Sequence, residues 1–337
     1  MENFFIDYRD PIFGLIVLMS IAFIIALFSY VWGVFSTKDK ESKLEEFITK
    51  FNSKGGSKSR ETLKTLETET LVLLADIYTK SGDFDSAIET YTIANQSTKN
   101  KKEKDLILTN LGVVYYEAGF YKKAENIFLE IIKFNPRNQE ALKHLSVIYE
   151  KLKMYESELE VLEVLKEQGV TTELSTAYIK AQMIADDASL PFNKKIKEIL
   201  KTSGELELIN RFILELFIRH KEPLSGIKNF PSLKNAIDIV WHLKESVNLK
   251  DSEYKAVFFA KGLSDAEAQS SFFEINALSA MRKGGFMDGD LSFKYLCSNC
   301  KTTFPYHFYR CPKCYTLDKT EILPKIIRRD DEINMPF

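Results

Sequence analysis

A chain of 337 residues that is 45% hydrophobic and 28% charged has ample apolar material for a folded core. Its formal net charge of −2 excludes the strongly basic balance of a general nucleic-acid binder. Glycine is scarce, at 14 residues, and Leu, Glu, Lys and Ala fill most windows, so the expected fold class is all-α.

The first predicted element is residues 12–35, "IFGLIVLMSIAFIIALFSYVWGVF", an apolar run without a single charge. At about 1.5 Å per residue it crosses a hydrocarbon core of about 30 Å with some tilt. A signal peptide fits less well, because the preceding "MENFFIDYRD" is acidic, with Arg9 its only cation, and no small-residue cleavage site follows. A retained transmembrane helix is expected, with residues 1–11 as a short external N-terminus and Tyr30 and Trp32 near one interface. Basic residues crowd the other flank: Lys38, Lys40, Lys43, Lys50, Lys54, Lys58, Arg60 and Lys64. The positive-inside rule then places everything after Phe35 in the cytoplasm. In that reducing compartment the cysteines are not expected to form structural disulfides.

Residues 36–64 read as an amphipathic segment and linker. Leu44, Phe47, Ile48 and Phe51 form one apolar stripe, suited either to the bilayer surface or to capping the next domain. The Gly- and Ser-rich "NSKGGSKSRE" that follows reads as a flexible linker.

Residues 65–172 repeat. Leu71, Leu74, Ala75, Tyr78, Gly82, Ala87, Tyr91 and Ala94 return 37 residues later as Leu108, Leu111, Gly112, Tyr115, Gly119, Ala124, Phe128 and Ile131. The offsets resemble those of the tetratricopeptide repeat, in which two antiparallel helices interlock through a small residue on each. A third, weaker copy has Leu142, Leu145, Ser146, Tyr149 and Leu162, but Glu158 stands where the small residue belongs. Such units bury their apolar faces only by stacking, so residues 173–290 are expected to continue an α-solenoid with divergent helices. Helical spacing marks 175–188, 193–200, 205–220, 232–247 and 265–285. Met183, Trp241 and the Phe272–Phe273 pair read as core packing, and His220 and His242 as surface or packing residues. A concave face of such a stack would present Asn110, Tyr116, Lys143 and His144 to an extended peptide or partner helix. Each of them reads equally well as a solvated polar position.

Residues 291–330 hold every cysteine of the chain: Cys297-x2-Cys300-x10-Cys311-x2-Cys314. Each CxxC wraps a tight turn, and two turns facing each other supply the four thiolates that suit one zinc or iron ion. A thioredoxin-like redox pair would need a βαβ pattern that is absent here. Pro312 stiffens the second turn, and "YLC" and "FYRC" are expected as short strands entering the two knuckles. With four thiolates the coordination set is complete, which leaves His307 no role as a ligand and the metal no open position for catalysis. A segment this small has too little core to fold alone, and metal binding supplies the missing folding free energy.

The order of transmembrane helix, cytoplasmic repeats and terminal four-cysteine knuckle resembles the lipopolysaccharide assembly protein B family. The specific match is the rubredoxin-like ribbon, with its two CxxC pairs ten residues apart, "FYRCPKC" and the following "ILPKI". Members of that family usually carry glycine after each CxxC, or at least after the first, where Lys301 and Tyr315 stand here. The resemblance implies a non-enzymatic adaptor of the bacterial inner membrane that restrains lipopolysaccharide synthesis, presenting the lipid A deacetylase to an FtsH-type membrane protease. It also implies Cys297, Cys300, Cys311 and Cys314 as metal ligands. Partners other than these are the bilayer, through residues 12–35, and a second copy of the chain; nucleic acid is not expected. The chain contains no Gly-rich phosphate loop, Ser-His-Asp set or H-E-x-x-H pattern. Three other readings stand beside this one: an iron electron carrier, a scaffold for a different envelope client and a zinc-ribbon binder of nucleic acid.

Overall fold

The computed structural model describes residues 63–204 and 206–329. The expected membrane span at 12–35 and the apolar stripe at 44–51 lie outside the described residues. No helix among the described residues is long and apolar enough to cross a membrane. The chain divides into two compact units, Met1–Ile107 and Leu108–Phe337.

In the first unit, α1 (Thr68–Ser81) and α2 (Phe84–Ser97) pack as a hairpin. Leu71 and Ala75 of α1 and Ala87, Tyr91 and Ala94 of α2 are buried, the positions the repeat pattern marks. The Asp83 carboxylate accepts the Ser86 amide at 3.2 Å and so caps α2. The Tyr91 hydroxyl donates to Asp76.

Helix α3 (Lys101–Glu117) runs into the second unit, where α4 (Tyr121–Phe134) follows it. Gly112 is there for space: a Cβ at this position would lie 2.6 Å from Cζ of the fully buried Phe128 ring. The third repeat is α5 (Gln139–Leu152) and α6 (Tyr155–Glu167), with Asn138 capping α5 by accepting the Ala141 amide at 2.9 Å. Next come α7 (Glu173–Asp186), α8 (Phe192–Ser203) and α9 (Glu207–His220). The last of these is buried on nearly every side, from Leu208 through Phe217, as an interior helix must be.

Beyond α9 the spacing-based expectations are only partly met. The helix expected over 232–247 shrinks to α10 (Ile237–His242), preceded by 3-10 turns at Leu224–Gly226 and Leu233–Asn235. Side chains compete for the backbone there. Glu207 accepts from the Ser232 amide and hydroxyl and from the Asn235 amide group, while Arg211 takes the Asn235 carbonyl at 2.6 Å. An unanticipated α11 (Ser252–Lys261) follows. The helix expected over 265–285 starts only at Phe273, as α12 (Phe273–Lys283). Glu253 holds the segment before it, accepting from the Ser270 hydroxyl and the Ser271 amide.

The chain then turns to strand: β1 (Gly289–Cys297), β2 (Thr303–Phe304) and β3 (Thr320–Arg328) form one antiparallel sheet of order β2-β1-β3. The expected strand at "FYRC" is not one; only Arg310 makes a bridge, to Leu317. The long β1–β3 ladder runs from Gly289↔Arg328 to Cys297↔Thr320 and was not expected from the spacing. Pro324 sits opposite Phe293 in the outer strand, where a missing N–H is tolerated. Leu291, Tyr295, Phe308, Leu317 and Ile322 of this ribbon share one buried cluster with Leu165, Tyr178, Phe212, Val240 and Ile275. The ribbon and the helices of the second unit therefore have a common core.

Candidate metal centre

The two CxxC turns are built alike. Lys301 donates its amide to the Cys297 carbonyl at 2.8 Å, and Cys297 donates to Thr302 at 2.9 Å. Tyr315 donates to the Cys311 carbonyl at 3.0 Å, and Cys311 to Thr316 at 2.9 Å. Each turn closes through a left-handed residue, Lys301 (φ 58) and Tyr315 (φ 59). A side chain is disfavoured in that conformation, which glycine adopts most readily.

These turns bring all four sulfurs within 4.8 Å of one another. Cys297 and Cys314 are 3.6 Å apart, and Cys300 and Cys311 3.7 Å. A regular tetrahedron of thiolates around an ion at about 2.3 Å has edges of about 3.8 Å. All four cysteines are free, with Cys297 and Cys311 buried and Cys300 and Cys314 partly exposed. Burial pushes the Cys311 thiol up to about 12. At Cys314 burial acts the same way, but hydrogen bonds from Asn299 and Thr316 prevail and bring it down to about 6. The donor set fits one tetrahedral ion, whose charge would offset the repulsion among clustered thiolates. Among the described residues the metal-capable group comprises these four cysteines alone. His307 is directed elsewhere: its ring lies 5.7 Å from Tyr295 and 5.1 Å from Tyr309. Burial, with Arg211 nearby, pushes it down to about 3, so it is neutral.

The residue before the third cysteine fixes the knuckle to the repeats. The Arg310 guanidinium donates to Glu150 of α5 at 2.5 Å and to the Tyr315 carbonyl at 3.0 Å. Its Nη2 lies 3.8 Å from Glu158 of α6, a side chain with no exposure. Glu158 accepts the Ser146 hydroxyl at 3.0 Å. Burial and then Glu150 push the Glu158 carboxyl up to about 8, against Arg310 and Ser146, which pull it down. The departure from the repeat pattern at Glu158 thus faces the metal knuckle.

Aromatic rings complete the seat. Tyr315 meets Tyr116 at 5.2 Å and His144 at 5.6 Å, and His144 stacks on Phe128 at 4.9 Å. Tyr309 meets Tyr178 at 5.1 Å and Phe212 at 6.1 Å. Of the four residues expected on a partner-facing surface, Tyr116 and His144 are therefore engaged by the ribbon of the same chain. Asn110 is half-buried and Lys143 exposed.

A second polar anchor lies deeper. Arg211 of α9 grips Asp238 of α10 with two hydrogen bonds, 2.8 and 2.9 Å, and reaches Glu215 at 3.1 Å. Tyr295 of β1 donates to the same Asp238 at 3.0 Å. Burial opposes the Asp238 charge, but the Arg211 hydrogen bonds outweigh it and hold its carboxyl low. The sequence marks Glu158 only as a departure from the repeat, and it gives no expectation for Glu150, Arg211 and Asp238. The available signal was a single charge inside an apolar run, as in "LINRFIL" and "NAIDIVW".

Residues 70–104 match the tetratricopeptide repeat family. The chain is also similar to three solved structures. MamA, residues 41 to the end, from Desulfovibrio magneticus RS-1 is 16% identical, over 46% of this chain and 86% of that one, with TM-score 0.35. A tetratricopeptide repeat protein from Parabacteroides merdae ATCC 43184 is 13% identical, over 64% and 98%, with TM-score 0.37. YrrB, described as a tetratricopeptide repeat protein with an unusual peptide-binding site, is 14% identical, over 51% and 86%, with TM-score 0.34. No curated protein matches the chain. The molecule is a mostly helical repeat protein of the kind used for protein–protein interaction, with a four-cysteine knuckle that can bind a metal ion.

Proposed function

We propose that this chain is a non-catalytic adaptor of the bacterial inner membrane, held there by residues 12–35 with its bulk in the cytoplasm. In this reading it restrains lipopolysaccharide synthesis by presenting the lipid A deacetylase to an FtsH-type protease. The observation that carries the reading is the knuckle at Cys297, Cys300, Cys311 and Cys314, seated by Arg310 on the third repeat. A structural ion, zinc in this reading, supplies folding free energy to a segment with little core of its own. The result is a rigid end on a repeat scaffold, and tethering raises its effective concentration near membrane partners. Depletion of the protein tests this: the half-life of the lipid A deacetylase should lengthen several-fold in a pulse-chase. An unchanged half-life removes this client.

The partial exposure of Cys300 and Cys314 favours a second reading, an iron electron carrier of rubredoxin type. Metal analysis with a visible spectrum separates the two. Colourless protein with one zinc per chain supports the adaptor; a coloured centre that bleaches on reduction supports the carrier.

A further inference from the structure

The last three helices and the start of the sheet do not close on one another. They leave a cleft of about 610 Å3 at the end of β1 opposite Cys297, with no cysteine in its lining and outside every role assigned above. Its size is that of a site for a small organic ligand. Trp241 and Leu278 form its apolar inner wall, and Phe286 and Met287, each 50% exposed, stand at its edge.

Its charge is one-sided. Lys244, Lys261, Arg282 and Arg329 line it against one carboxylate, Asp290. Arg282 is already engaged, donating to the carbonyls of Phe259 and Ser264. Asp290 is engaged too, accepting the Trp241 indole N–H at 2.5 Å and the Leu291 amide at 2.8 Å. Neither Lys244 nor Lys261 is in an ion pair among the described residues, and the Arg329–Asp290 pair is long, at 3.8 Å. Lys261 donates to the Leu243 carbonyl and lies over the rings of Trp241 and Phe258, at 5.8 and 5.7 Å. Burial pushes its ammonium down to about 8, with Asp290 the opposing influence. Cations gathered beside apolar surface, with too little negative charge to match them, are the complement of an anionic group on an apolar body.

We propose that this cleft binds an organic anion with an apolar body, of the class of aryl or alkyl phosphates and carboxylates. The anionic group would sit among Lys244, Lys261 and Arg329, and the apolar body against Trp241, Phe286 and Met287. This site is independent of the adaptor reading.

Equilibrium dialysis of the full chain in phosphatidylcholine nanodiscs against 1-naphthyl phosphate tests it, with empty nanodiscs as the blank. One naphthyl phosphate should bind per chain. Inorganic phosphate and 1-naphthol, which carry the two halves separately, should each bind at least about tenfold more weakly. The Lys244→Glu/Arg329→Glu variant changes exposed side chains and should keep its metal content and melting temperature, yet bind about tenfold more weakly or worse. Lys261→Met should weaken binding in the same sense, but Lys261 is half-buried and hydrogen-bonded to Leu243, which makes the exposed pair the deciding variant. Binding no greater than the blank, equal binding of either half-ligand, or unchanged binding in the charge-reversed variant would overturn the proposal.

Discussion

The second and third repeats use the same offsets with different chemistry. In α3–α4 a glycine, Gly112, lets the Phe128 ring approach, and Gly119 turns the chain at φ 81. In α5–α6 the equivalent positions are Ser146 and Lys153, the latter held in the same left-handed region at φ 56. Ala124 of the second repeat becomes Glu158, fully buried and hydrogen-bonded to Ser146. The backbone geometry survives while an apolar interlock becomes a polar one, and the polar one reaches Arg310 of the metal knuckle. A departure from a repeat pattern can therefore mark the surface where another part of the chain docks.

The largest expected effect breaks the polar side of this comparison at its source. Cys311→Ser removes a buried ligand from a site whose ion, in small zinc domains, contributes about 10–16 kcal/mol. The variant should lose its metal and become susceptible to protease between 289 and 328, while α1–α2 stays resistant. Next comes the deeper anchor. Arg211→Met leaves Asp238 buried without its partner and should cost about 3–5 kcal/mol in urea unfolding. Adding Asp238→Leu should recover much of that loss.

A third substitution addresses the two interlocks directly. Gly112→Ala should cost about 1–3 kcal/mol, because the new Cβ must displace a fully buried ring. Ser146→Ala, at the same repeat position, should cost about 1 kcal/mol through the hydrogen bond to Glu158. A loss at Ser146 larger than that at Gly112 would mean that the repeats do not differ in this way.

These contrasts explain what was readable in advance. Gly112, Ala124 and Phe128 keep fixed offsets because ring-against-backbone packing tolerates little else, so the repeats show in the sequence. The CxxC spacing shows for the same reason, since two sulfurs on one tight turn must be three residues apart. Glu158 and Arg310 lie 152 positions apart, and nothing local reports that a buried acid will meet that particular cation. Strand β3 was hidden because "EILPKII" contains a proline and lacks clean alternation, both of which an outer strand permits. Helix α10 was overestimated because Glu207 and Arg211, distant in sequence, capture the backbone and side chains before it.

Two smaller effects sharpen the comparison. The Glu158 carboxyl, near 4.5 when unfolded, rises to about 8 in the fold. Between those values the folded state keeps a proton that the unfolded state releases, so the contribution of this group to stability is full below about 4.5 and is lost as pH rises through about 8. Glu158→Gln should flatten that slope, whereas changes in the second repeat should leave it intact. Smallest of all, Lys153→Gly relieves a left-handed side chain and should gain about 0.5 kcal/mol. Its lost ion pair with Asp186 is exposed, and Asp186 keeps the Tyr155 hydroxyl as a donor.

Amide hydrogen exchange, measured with and without a chelator, reads the centre and its seat together. If one ion organises the knuckle that Arg310 fastens to the third repeat, stripping it should strip protection from β1–β3 and from the Glu150 and Glu158 turns of α5 and α6 in the same step, with α1–α2 unmoved. Full protection of α5 and α6 after the ribbon has lost its own would contradict the account.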